Sequence, residues 1–219
     1  DYSGSRGLGD VYKRQKGTEQ AVLSSSVFQQ KEVDKIWVSP LLRAQQTLEP
    51  FKKAAISENI TVHDWLQEMR DSEEVDLIGK PNKEIEEFFI KRNSKSFEEW
   101  LLTNHGEYMK NFSDNIISNL DKSLNELGIV SIDNKYDRLF DLQNNETEKL
   151  MIISHAGTMS VLISYFLNMP LYPWTWKKFL PRHAGHTILK STQISSGHFF
   201  RLKEFNNVSF MGSDELKTY

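Results

Sequence analysis

The chain has 219 residues, 38% of them hydrophobic and 26% charged, enough for one domain with a buried core and a central sheet. A net charge of −3 and an isoelectric point near 6.1 exclude a general attraction to nucleic acid or anionic membranes, so any anion site has to be local. No cysteine is present, which removes disulfides, thiolate nucleophiles and zinc-thiolate clusters and favours a reducing, cytoplasmic setting. The longest apolar run, VLISYFLNM, is interrupted by Asn168 and ends at Pro170, too short to cross a membrane.

In chain order, residues 16–30 (KGTEQAVLSSSVFQQ) predict a helix with Ala21, Val22 and Phe28 inward. KIWVS at 35–39 is the first clear strand, and Pro40 stops it. Leu41, Ala44, Leu48, Phe51 and Ala55 then recur at helical spacing. Arg43 therefore stands at a strand-to-helix corner, where open α/β sheets place ligands and where a helix N-terminus favours anions. An arginine at that corner suits a phosphate or carboxylate. The plain alternative is an ordinary surface arginine at a helix start.

ITVHDW at 60–65 predicts a second strand, followed by a polar connection with turn signals at Gly79 and Pro81. Residues 82–128 predict helices, the last carrying one apolar stripe through Tyr108, Phe112, Ile116, Leu120, Leu124 and Leu127 and ending at Gly128. Residues 129–149 are polar without a strong period and are expected to be mostly loop. LMIISHAGTMSVLISYFLN at 150–168 repeats the form of the Arg43 corner: an apolar strand, small residues, then a helix, with His155 at the tip. The continuous apolar run predicts a strand covered on both faces. HTILKSTQ and HFFRLKEFN, separated by Ser-Ser-Gly, predict a hairpin. The expected fold class is therefore α/β, a three-layer α/β/α sandwich with a mixed, mostly parallel sheet.

Parallel neighbouring strands would bring Arg43 and His155 to one sheet edge, and Glu68, just after the second strand, can reach the same edge. The three suit phosphoryl transfer. Arginine forks onto phosphate oxygens, histidine adds charge or a hydrogen bond, and a glutamic acid protonates a leaving oxygen. Singly, each has a dull reading: a satisfied histidine at a strand end, and a carboxylate among Asp71, Glu73 and Glu74 on a solvated face. His63, His105, His186 and His198 lack ligand spacing, so no metal is expected.

VSPLLRAQQT, LQE and ISHAGT, in this order, resemble the histidine phosphatase superfamily, the phosphoglycerate-mutase-like phosphatases. KGTEQA and IGKPNKEI extend the similarity from about residue 16 to about 206. The resemblance implies that Arg43 is a phosphate-binding arginine, Glu68 the proton donor and His155 a second phosphate-binding histidine. Ala156 stands where the family usually has glycine, and its backbone N–H would still face the phosphate. The implied activity is phosphomonoester hydrolysis through a phosphohistidine, without metal or organic cofactor, on a phosphorylated small molecule or phosphoprotein. The helical insert at about 82–149 would cap the pocket.

The family's Arg-His-Gly signature, which carries the nucleophile on the first strand, has no counterpart before KGTEQA. Residues 1–15 read DYSGSRGLGDVYKRQ, in which SRGLGDVYKRQ resembles a translated sequencing adapter. We expect this segment to be non-native, the first strand to be missing, a sheet edge to be left unpaired, and the chain as given to be inactive. A natural pseudo-phosphatase with a divergent terminus, or a phosphate loop at Gly-Leu-Gly-Asp, are the other readings. Arg182-His183-Ala-Gly superficially resembles the lost signature but precedes a late strand, so Arg182 and His183 are at most substrate contacts. A mutase is the nearest enzymatic alternative. The Glu68-Met69-Arg70-Asp71-Ser72 string lacks the Arg-His-Tyr-Gly-like run usual after the acid in mutases, which favours hydrolysis.

Overall fold

A computed structural model describes residues 15–70, 77, 79–132, 137–143, 148–172 and 178–218. The expected non-native segment 1–15 therefore lies, except for Gln15, outside the described residues. The elements are α1 (Gln15–Ser25), β1 (Lys35–Val38), α2 (Leu42–Lys53), β2 (Ile60–Val62), α3 (Asn82–Asn93), α4 (Phe97–Leu101), α5 (Asn104–Glu126), β3 (Ile129–Ile132), β4 (Leu139–Leu142), β5 (Leu150–Ile153), α6 (Ala156–Phe166), β6 (His186–Ile194) and β7 (Gly197–Asn207). A single 3-10 turn, Asp64–Leu66, follows β2.

The mixed α/β architecture is the expected one, with the strands segregated by direction. One sheet is parallel, in the order β2-β1-β5, and the other is antiparallel, in the order β3-β4-β7-β6. Alternation along β1 and β5 faces the parallel sheet with two cores. Trp37, Leu150 and Ile152 join α5 and α6 on one side. Ile36, Val38, Met151 and Ile153 join Ala44, Leu48 and Phe51 of α2 on the other. Among the described residues β5 pairs only with β1, and its four residues are half-buried. The aromatic contacts Phe140–Phe200 and Phe166–Phe200, with ring centroids 5.1 and 4.7 Å apart, tie the antiparallel sheet to α6.

Helix starts follow local chemistry. Ser96 and Glu99 form a reciprocal capping box before α4, and the Thr103 hydroxyl accepts from the Gly106 N–H at the start of α5. Two expectations change. The region 129–149, expected to be mostly loop, contains two strands: β3 and β4 pair antiparallel, and Phe140 of β4 pairs with His198 of β7. In α1, Val22 is 50% exposed, while Gln20, Ser24 and Ser25 are buried. Polar bonds explain that face: Gln20 donates to the Leu216 carbonyl at 2.6 Å, and the Ser24 hydroxyl lies 2.6 Å from His186 Nε2. Among the described residues no helix is long and apolar enough to cross a membrane.

Candidate active site

Because β1, β2 and β5 run parallel, the residues that follow them emerge at one edge. Ser39, just after β1, continues the ladder by donating its N–H to the Ile153 carbonyl at 3.0 Å. Pro40 then ends the strand and Leu41 caps α2 in extended conformation, which places Arg43 in the first turn of the helix. The Gln45 side chain reaches back to the Ser39 carbonyl at 2.6 Å and staples this corner.

His155 occupies the N-cap position of α6 and is 8% exposed. The Arg43 Nε–H donates to His155 Nδ1 at 3.1 Å, and His155 Nε2 lies 2.8 Å from the Ser39 hydroxyl. Burial, and next the Arg43 charge, push the imidazole pKa down to about 3. In the ligand-free protein His155 is therefore neutral at pH 7. It supplies hydrogen-bonding capacity and no charge. Arg43 Nη1 and Nη2 make no hydrogen bond to any described residue.

The acid is held by the start of α6. Ser154 Oγ donates to the Leu66 carbonyl at 2.7 Å, and Thr158 Oγ1 donates to the Gln67 carbonyl at 2.5 Å. Glu68 Oε1 accepts from the Met69 N–H at 2.9 Å and from the Gly157 N–H at 3.2 Å. Burial raises the Glu68 pKa, and these backbone donors and the nearby Arg43 offset only part of it. Three consecutive carbonyl or carboxylate groups of LQE are thus bound by three residues of ISHAGT. The Tyr108 hydroxyl of α5 accepts from the Arg70 N–H, which brings the helical region against the segment after the acid.

The structure thus gathers Arg43, Glu68 and His155 at one edge, with Ala156 beside them as the first residue of α6. The main chain at Arg182 and His183 is tied to β7 and to the C-terminal segment. The Arg182 N–H donates to Asn206 at 2.7 Å, and the His183 N–H donates to the Thr218 carbonyl at 2.9 Å. None of these partners belongs to the Arg43 cluster. Sequence reading passed over Ser39, Ser154, Gly157 and Thr158, although all four lie inside the VSPLLRA and ISHAGT strings that drew attention to the site.

Parallel strands delivering an arginine, a neutral histidine and a buried carboxyl to one edge define an α/β protein of the phosphoglycerate-mutase-like kind. The chain belongs to the histidine phosphatase superfamily (branch 1), whose family model matches residues 5–207. No curated protein matches the sequence. Among solved structures, a mycobacterial glucosyl-3-phosphoglycerate phosphatase is similar with a TM-score of 0.62 at 16% identity, over 93% of this chain and 93% of that one. The alpha-ribazole phosphatase of Shigella flexneri has a TM-score of 0.57 at 16% identity, over 92% and 88% of the two chains. A phosphoserine phosphatase of Entamoeba histolytica has 0.57 at 19%, over 93% and 91%. At these identities the likeness is one of fold.

Proposed function

We propose that the Arg43 corner is a phosphate site and that the protein represents a phosphomonoesterase of small phosphorylated metabolites. The observation that carries this reading is the Arg43 guanidinium: its Nε is fixed by His155, while its terminal nitrogens have no hydrogen-bond partner among the described residues. A fork of donors presented in this way matches two oxygens of a phosphoryl group. The Ala156 N–H at the start of α6 adds a donor from the backbone. The similar solved structures include phosphatases for ribazole phosphate, glucosyl-3-phosphoglycerate and phosphoserine, which supports a phosphorylated small molecule over a larger substrate.

In a complete enzyme of this kind a histidine nitrogen attacks phosphorus and the bond to the leaving alkoxide breaks. Glu68 gives its proton to that oxygen, and its raised pKa keeps the proton available. Water then attacks the phosphohistidine as Glu68, now a carboxylate, takes a proton from the water; the P–N bond breaks, phosphate leaves, and the imidazole and the Glu68 acid are both restored. Arg43 stabilises the phosphoryl oxygens in both steps. No Arg-His-Gly string occurs in the 219 residues, and His155 has both ring nitrogens engaged, so we assign no nucleophile.

The expected outcome for this chain is phosphate binding without turnover. Titration with inorganic phosphate should give saturable binding that Arg43→Ala weakens by roughly tenfold or more, while p-nitrophenyl phosphate is not hydrolysed. Turnover that depends on Arg43 would overturn the assignment of a missing nucleophile. Phosphate binding that is indifferent to Arg43→Ala would overturn the site itself.

A further inference from the structure

Ser39 is completely buried and is held at every polar atom. Its N–H donates to Ile153, its carbonyl accepts from Gln45, and its hydroxyl oxygen accepts from the Leu41 N–H at 3.3 Å. The same oxygen lies 2.8 Å from His155 Nε2. Hydrogen positions around the ring follow from the one partner whose protonation is fixed. Arginine does not deprotonate in proteins, so the Arg43 Nε–H is always a donor and His155 Nδ1 has to offer a lone pair. The proton of the neutral ring is then on Nε2, facing Ser39, whose oxygen has two lone pairs and accepts both from Leu41 and from His155.

We propose that Ser39 is a positioning residue of the phosphate site. By accepting the Nε2–H of His155 it holds the ring as one tautomer, turns the Nδ1 lone pair onto Arg43 Nε, and so aims the terminal nitrogens of the guanidinium at the ligand. A histidine in the other tautomer would set an N–H against the Arg43 N–H, and the guanidinium would have to swing away. The chain of control runs from the residue that follows β1, through a ring just past the end of the neighbouring β5, to the arginine in the first turn of α2. This proposal rests on the phosphate reading of Arg43, and it predicts a ring state that is measurable with no ligand present.

The test is nitrogen-15 NMR of the histidine side chains in the full chain, with His155 assigned through His155→Asn, followed by titration with inorganic phosphate. At pH 7 the wild-type ring should carry its proton on Nε2, in slow exchange with water, with a bare Nδ1. A bare Nε2 in the wild type overturns the proposal whatever the variants do. In Ser39→Ala, which removes the acceptor, and in Ser39→Cys, which puts a slightly larger and much poorer acceptor in its place, the slow Nε2–H signal should disappear and phosphate affinity should fall about fivefold. Variants that keep both the signal and the affinity overturn it. If phosphate binds neither wild type nor variants, the functional reading of the site fails while the ring spectra still decide the role of Ser39.

Discussion

A Cβ added to Gly157 would lie 2.6 Å from Glu68 Oε1 and 3.1 Å from Cγ and Sδ of Met69. The glycine lets the acid approach the first turn of α6 closely enough to accept the Gly157 N–H. Gly157→Ala should push the carboxylate off that donor and cost about 1–3 kcal/mol in stability, measured by urea denaturation. An unchanged midpoint would mean that Glu68 moves aside freely. At this scale the sequence is legible by type and order: strand-to-helix corners bring Arg43 and His155 to one edge with Glu68 after the second strand, and the structure puts the three near one another. The bonds among them are not legible there. Whether Ser39 meets His155 depends on the β1–β5 register, which pairs residues more than a hundred positions apart and is written in no local pattern. The neutrality of His155 was hidden for the same reason, since it follows from burial beside Arg43.

The element that does most to assemble the site is α6. Its first turn holds the acid segment and its last turn carries Phe166 against Phe200. The Tyr165 hydroxyl donates to Asp121 of α5, and Arg138, just before β4, lies 4.1 Å from the centre of the Tyr165 ring. Thr158 is fully buried, so Thr158→Val should leave the Gln67 carbonyl short of a donor and destabilise by about 1–3 kcal/mol, while Thr158→Ser should restore most of the loss. Equal unfolding midpoints for the two variants would show that the bond contributes little. Long periodic elements such as α5 and the β6/β7 hairpin were readable from spacing alone. The four-residue strands IVSI and LFDL were missed because so short a run holds barely two alternations, and their pairing with each other and with β7 decides their conformation. Of the residues read as inward in this region, Ala21 is fully buried and Phe28 packs on the α2 core, while Val22 is exposed because much of the inner face of α1 meets polar groups, Leu216, Thr218 and His186, rather than an apolar surface.

Across the described molecule, one buried and two half-buried imidazoles shape the response to acid. His63, His155 and His186 have pKa values lowered chiefly by burial, His155 to about 3. Above the ordinary value of 6.5 both folded and unfolded forms are neutral and their contribution is complete; below it the unfolded chain takes up protons that the folded chain refuses, so stability falls as pH drops. Glu68 acts in the opposite sense, because its raised pKa makes the folded state the better proton acceptor just above 4.5. The histidines outnumber it. Urea midpoints should therefore fall between pH 7 and pH 5, and His155→Gln should flatten that slope by up to about 1.4 kcal/mol per pH unit. A slope that His155→Gln leaves untouched would contradict the buried neutral ring.

The division of the strands into two sheets has a further consequence. Among the described residues no strand of the parallel sheet pairs with one of the antiparallel sheet, and the join passes through side chains around α6. Opening the antiparallel sheet therefore breaks no main-chain ladder in the sheet that carries the phosphate corner. The two sheets share one side-chain core with α5 and α6 but no ladder, so amide exchange in the antiparallel sheet is expected to have a ceiling of its own, below that of the parallel sheet.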